Sequence, residues 1–387
     1  MTKYNFDEII CRNNTFSVKN DFCPEKDMIS MWVADMDFAV APPILEAIRC
    51  RANHPIFGYS YIPDSFFETV SNWYEKRHHY VYDPKQLIPF CGVVSALSVI
   101  LLSLTQEGDV VTLQAPTYMN FPPAITGINR KIVYNQLINR NNHYEIDFDD
   151  LERCLSQSKV FVHCSPHNPT GRVWTLSEQK RIAELCEKYH VLVISDEIHS
   201  DLIMPGFSHI PFMSVSHLAP SYTITTISAT KTFNLAHNGM AFMAPGNPIH
   251  YEKIKHVIES MHLGSMNIFA MTAVKAAYES GEDWLDSMLK YVYDNYRFVK
   301  ERFEKTMKRI VVNPLEGTYL VWLDCRNLDQ SVVDFFETNG RVYGEDGILF
   351  GPAGEKYYRM NIATSRLVLE DVVNRLETTY RRLYKGE

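Results

Sequence analysis

Five short apolar or β-branched runs recur between residues 110 and 245: VVTLQAP (110–116), VFVHCSP (160–166), VLVISDE (191–197), YTITTIS (222–228) and MAFMAP (240–245). Helical patterns separate several of them, and that alternation predicts parallel strands joined by helical crossovers. The first, third and fourth runs have no polar alternate face, as strands covered by helices on both sides do not. Between the second and third, Thr175 and Glu178 make a capping box ahead of an inward stripe of Ile182, Leu185, Cys186 and Tyr189. After about residue 284 a long helical stretch leads to GTYLVWLD (317–324), YYRMNIA (357–363) and a last helix over 368–384. The expected fold class is α/β. A three-layer α/β/α large domain with a mostly parallel sheet spans 48–285, and a smaller α/β domain is made from 1–47 and 286–387.

Chain length agrees, since 387 residues exceed what one core usually serves. A formal charge of −8 argues against a nucleic-acid partner, which needs a basic face. No apolar run reaches the roughly 18–20 residues that cross a bilayer, so no membrane partner is expected. The opening MTKYNFDEII has no apolar signal region, which makes the expected compartment cytoplasmic. The 8 cysteines include no CxxC pair and are expected as reduced, mostly packed thiols.

In open α/β sheets, ligands bind outside the carboxyl ends of the strands. Tyr118 follows the first run by two residues, and Asn168 lies just past the second. Asp196 ends the third, Ser228 ends the fourth, and Lys231 stands three residues beyond it. Gly92, Val93 and Val94 open an apolar helix ahead of the sheet. For Lys231 alone three readings stand: a Schiff-base lysine, the lysine of an S-x-x-K hydrolase pair with Ser228, or a lysine in a turn. As one site the groups describe a single ligand. An open helix N-terminus and a hydroxyl suit phosphate. Tyrosine suits a ring face, and asparagine suits a phenolic oxygen. A buried carboxylate needs a cation such as a protonated ring nitrogen. An amine suits an aldehyde. Phosphate, ring, phenolate, pyridinium and aldehyde together are pyridoxal 5′-phosphate (PLP). His163, Cys164 and His167 lie on a strand end and turn and are not expected to bind metal.

The motifs SPHNPTG (165–171), SDEIH (195–199) and SATKTFN (228–234) resemble those of fold-type I PLP enzymes, the aspartate aminotransferase superfamily. ADMDF (34–38), FGYS (57–60), SPHNPTGRVW (165–174), HIPF (209–212) and TYLVWLD (318–324) resemble one branch, the MalY/PatB-type C–S lyases, or cystathionine β-lyases. The resemblance implies that Lys231 bonds the cofactor aldehyde and that Asp196 pairs with the ring nitrogen. Asn168 meets the phenolic oxygen and Tyr118 stacks on the ring. Val93 and Val94 N–H groups and the Ser228 hydroxyl hold the phosphate. His199 stands where aminotransferases usually carry tyrosine, beside the cofactor. Tyr59 reaches the phosphate of a neighbouring subunit, which implies a homodimer with shared sites. Arg359 clamps the substrate carboxylate. Many superfamily members carry a phosphate-binding arginine about eight residues past the lysine. Here NLAHNGMAF (234–242) has none, leaving His237, Asn238 or backbone donors.

The implied activity is β-elimination from small sulfur-containing L-amino acids of the cystathionine or cysteine type. The products are a thiol, pyruvate and ammonia. An aminotransferase on the same fold is the nearest alternative. A serine hydrolase would want S-D-N and K-T-G elements, and neither occurs. A regulatory binding role is the third class. Asp35 and Asp37 stand as either a loop near the substrate carboxylate or a structural turn.

Overall fold

The computed structural model describes residues 3–384; the extreme ends of the 1–47 and 286–387 segments lie outside the described residues. Eight strands form one sheet. In spatial order they are Ile88–Phe90, Ala241–Pro245, Thr223–Ile227, Leu192–Asp196, Val160–Cys164, Val110–Ala115, Lys131–Arg140 and His143–Ile146. The five from Thr223–Ile227 to Lys131–Arg140 are parallel neighbours. Ala241–Pro245 and His143–Ile146 run antiparallel to their neighbours. The sheet is thus mostly parallel, as the alternating runs require, although MAFMAP reverses direction.

Both faces of the central strands are covered, which is why Val160–Cys164 and Thr223–Ile227 are buried along their whole length. Val160, Val162 and Cys164 pack with Ala96, Leu97 and Ile100 of the Val93–Leu104 helix. Phe161 and Val193 point the other way, into a cluster with Ile182, Leu185 and Cys186 of the Leu176–Tyr189 helix. This follows the period-2 alternation of side chains along a strand. The capping box between Thr175 and Glu178 forms in both directions and starts that helix. Tyr189 on the expected stripe is only half-buried.

The 25-residue helix Glu282–Thr306 leads to a four-stranded antiparallel sheet in the order Val311–Val312, Leu320–Asp324, Tyr357–Asn361, Glu345–Asp346. Val292, Val299 and Phe303 of that helix share a core with Leu320, Leu323, Leu369 and Leu376. The N-terminal segment joins this part of the molecule, since Ile29–Ser30 pairs in parallel with Val342–Tyr343.

The sequence pattern passed over three strands of the large sheet. Lys131–Arg140 buries only Asn135 and Leu137, because it lies toward the sheet edge; its partner His143–Ile146 is the edge. Ile88–Phe90 is three residues long and contains a proline, which sequence reading discounts as a strand.

Candidate active site

The strand Thr223–Ile227 ends one residue before Ser228. Ser228 accepts from the Thr230 N–H and caps the short helix Ala229–Thr232, which carries Lys231. The same Ser228 hydroxyl donates to the Met240 carbonyl at 2.8 Å. Lys231 Nζ donates elsewhere, to the Ala34 carbonyl oxygen at 2.7 Å. The two side chains therefore serve different partners and make no serine–lysine hydrolase pair.

Lys231 opens onto a cavity of about 170 Å³ whose walls include Val93, Val94, Tyr118, Asn168, Asp196 and His199. Seven of the ten residues singled out in the sequence, Lys231 among them, are thus brought together. They come from four strand ends and one helix start, Val93 and Val94 sharing the helix and Asp196 and His199 sharing a strand end, where ligands of such sheets bind. Ser228 is buried and does not line this cavity; Thr230, from the same turn, does. Tyr59 lies apart, fully exposed on a loop and facing a shallow recess formed with Ser265 to Phe269. Ala236 and Gly239, not His237 or Asn238, reach the cavity wall from the 234–242 stretch.

The Val93–Leu104 helix starts at Gly92 without any side-chain cap, so its first N–H groups are open to a ligand. Asp196 is buried at the end of its strand. It accepts only long hydrogen bonds, 3.3 Å from the Ile198 N–H and 3.3 Å from the Thr226 hydroxyl. Burial pushes its carboxyl up to about 7, against those two donors and the more distant Lys231. Burial, helped by the positive charge of Arg359, lowers the Lys231 amine to about 8. His199 is pushed down to about 3 by burial and by the charges of Lys231 and Arg359, so its imidazole is neutral. Its Nδ1 is buried with no hydrogen-bond partner among the described residues.

Behind this wall lies Arg359, fully buried in the small sheet. Its Nη1 donates to Asn168 Oδ1 at 3.0 Å and its Nη2 to the Trp32 carbonyl at 3.1 Å. The guanidinium lies over the Phe350 ring at 4.9 Å, and Glu345 forms an ion pair with Nη2. Sequence reading missed Glu345, because its contact with Arg359 comes from antiparallel strand register and leaves no local pattern.

Asp35 and Asp37 act on the loop that holds Lys231. Arg12 pairs with Asp35 at 2.6 Å and Asp37 at 2.9 Å, and Lys19 pairs with Asp37 at 2.9 Å. Asn361 and Asn234 fix the same loop through backbone groups of Val33, Asp35, Met36 and Phe38. The Ala34 carbonyl also accepts from the Tyr319 hydroxyl at 2.9 Å. Among the described residues no group of three His, Cys, Asp or Glu is arranged to hold a metal ion.

Comparison with known proteins shows the family. The model of the family described as aminotransferase class I and II matches residues 26–376. Cystathionine β-lyase PatB of Bacillus subtilis is 35% identical over 382 residues, covering 96% of this chain and 99% of that protein. The crystal structure of Treponema denticola cystalysin, which contains pyridoxal 5′-phosphate, superposes with a TM-score of 0.95 at 31% identity. That match covers 98% of this chain and 99% of cystalysin. The PLP-bound C–S lyase of Staphylococcus hominis gives 0.92 at 32% identity, covering 98% of this chain and all of the other. A strand-end lysine, an uncompensated buried aspartate and an uncapped helix start share one cavity in a chain with these relatives: it belongs to the aminotransferase class I and II family, in the branch that holds the PatB-type cystathionine β-lyases.

Proposed function

We propose that this protein is a PLP-dependent carbon–sulfur lyase that cleaves L-cystathionine- or L-cysteine-type substrates by β-elimination to a thiol, pyruvate and ammonia. The observation that carries the reading is the pairing, in one cavity, of a lysine amine near neutrality with a buried carboxylate that lacks a cation.

The residues present fit the cofactor. Asp196 needs a positive partner, and a protonated ring nitrogen is one. The uncapped start of the Val93–Leu104 helix offers Val93 and Val94 N–H groups to a phosphate. Tyr118 is positioned for the ring face. Asn168 spends its carbonyl oxygen on Arg359, which leaves its amide N–H groups to meet the phenolic oxygen. Lys231 supplies the amine for the aldehyde. When bound, the cofactor supplies an electron-accepting ring for the pair released at the substrate Cα. Ser228 supports the phosphate side indirectly, by shaping the turn that brings Thr230 to the wall.

Lys231 then does the proton work. An amine lowered to about 8 is partly unprotonated near neutral pH and takes the Cα proton. Asp196 keeps a proton on the ring nitrogen. Arg359 binds the substrate carboxylate and orients Cα toward Lys231. His199 stays neutral and packs edge-on against Tyr319, whose hydroxyl shares the Ala34 carbonyl with Lys231. The working unit is a homodimer in which Tyr59 of one copy completes the phosphate site of the other, which accounts for its full exposure in a single chain. Residues 48–285 serve as the cofactor domain, and 1–47 with 286–387 as the smaller one.

Incubation of the PLP-loaded protein with L-cystathionine and L-cysteine tests this reading. Pyruvate formed without any keto-acid acceptor supports the lyase. Product that appears only with 2-oxoglutarate makes the chain an aminotransferase.

A further inference from the structure

A guanidinium offers two forks to a carboxylate, Nη1 with Nη2 and Nε with Nη2. Both forks use Nη2. In Arg359 one Nη2 hydrogen goes to the Trp32 carbonyl at 3.1 Å, and the Glu345 carboxylate stands against the same Nη2 as an ion pair. Nη1 keeps one free hydrogen beside its bond to Asn168, and Nε is buried with no hydrogen-bond partner among the described residues. The arginine is therefore half prepared for a ligand and half occupied.

We infer that Glu345 is a built-in competitor for the carboxylate clamp, seated on the Nη2 that a substrate carboxylate must take to bind Arg359 as a fork. The inference rests on the assignment of Arg359 as the clamp. Register keeps the two residues side by side, because Glu345 and Arg359 are direct partners on neighbouring antiparallel strands. Both residues are buried, so water does not screen the pair. A ligand carboxylate that enters must break this ion pair or bind through single hydrogen bonds at Nε and Nη1. Glu345 also lies within electrostatic reach of Lys231, which gives the displaced carboxylate a positive neighbour. The result is a clamp that releases carboxylates readily and raises the KM for amino-acid substrates.

Propionate, a carboxylate without an amino group, is the probe. Its binding to the holoenzyme is measured by calorimetry and as competitive inhibition against L-cysteine, in wild type, Glu345→Gln and Arg359→Gln. Glutamine keeps the shape and removes the charge. The expected result is propionate binding tightened on the order of tenfold in Glu345→Gln, about what one charged hydrogen bond is worth. The KM for L-cysteine falls with it while kcat changes less. Unchanged or weaker propionate binding in Glu345→Gln overturns the inference, and makes Glu345 a support for Arg359 instead. If Arg359→Gln binds propionate like wild type, the clamp assignment itself fails; if it loses propionate while Glu345→Gln is neutral, only the competition fails. Glu345→Ala repeats the comparison should the glutamine variant lose the visible absorbance of the lysine–PLP adduct.

Discussion

The Asp201 carboxylate accepts a hydrogen bond from the Thr232 hydroxyl at 2.9 Å, one residue beyond Lys231. The same carboxylate accepts from Trp73 Nε1 at 3.1 Å and from His78 Nε2 at 2.8 Å. Trp73 and His78 lie on the Asp64–His78 helix, so one buried carboxylate ties that helix to the turn that carries Lys231. Burial works to raise the Asp201 carboxyl, but its bonds from His78 and Thr232 together hold it below the usual range. Four residues earlier in the chain, Glu197 is buried in the same manner on His209, Ser195 and the Phe212 N–H. The DEIHSD stretch therefore faces two ways, with Asp196 and His199 toward the cavity and Glu197 and Asp201 toward the scaffold.

Asp201→Ala strands three donors in the core. The expected loss is about 3 kcal/mol of holoenzyme stability, the usual consequence of removing one partner from a buried polar cluster. Urea denaturation measures it. A loss under about 1 kcal/mol, no larger than an average substitution, sinks this account of the tether.

How far the site could be read from the chain depended on how local its signals were. Lys231, Asp196, Asn168 and Tyr118 were legible because each sits at a fixed offset from a strand end, and parallel strand ends must converge. Val93 and Val94 were legible because a glycine entry announces an open helix start. Ser228 was placed on the right turn, yet its hydroxyl is consumed by Met240 and by capping. Glu345, Ala34 and Asp201 left no such mark. Their contacts to Arg359, Lys231 and Thr232 depend on strand register and on loops that meet only in three dimensions. Among strands, the fully covered ones were legible and the edge pair was not, since hydrophobic runs report burial on both faces.

Lys231→Ala is expected to bind PLP without the absorbance of the lysine–cofactor adduct and to lose turnover by at least about a thousandfold. Full turnover in that variant refutes the assignment. In the apoprotein the same residue gives a pH signature. Its folded amine titrates near 8, below the ordinary 10.5 of an unfolded lysine. Between those values the unfolded chain binds more protons, so stability rises with pH. Relative to Lys231→Met, the wild-type apoprotein is expected to be weaker by about 2 kcal/mol at pH 7, allowing for partial screening, and equal by about pH 10.5. A pH-independent difference between the two contradicts a depressed lysine.

Gly317 lies where the small sheet meets the turn of Asn168. A Cβ there would approach Pro166 at 2.9 Å and Val173 at 3.0 Å. Its N–H also donates to the Gly171 carbonyl at 3.0 Å. Gly317→Ala is expected to cost about 1–3 kcal/mol through overpacking, and to weaken PLP retention because Asn168 shifts with the turn. Thermal unfolding and cofactor retention on dialysis measure the two effects. A variant that melts lower but retains PLP fully separates the packing from the Asn168 turn and refutes the second half.

Asp196 provides the sharpest test of the empty charge in the cavity. Its folded carboxyl titrates near 7, against 3.8 for an ordinary aspartate. Between those values the folded apoprotein holds a proton that the unfolded chain has released. Stability of the apoprotein therefore falls as pH rises from about 4 to 7, by on the order of 4 kcal/mol, and levels off above. Asp196→Asn removes this slope, because the amide does not titrate. PLP removes it in the wild type by a different route, since a protonated ring nitrogen beside the carboxylate favours its charged form. Denaturant titrations of apo wild type, holo wild type and apo Asp196→Asn across that pH range distinguish the cases. Parallel curves for the two apoproteins would mean that Asp196 is already compensated within the chain, and that the cavity was not built around a missing cation.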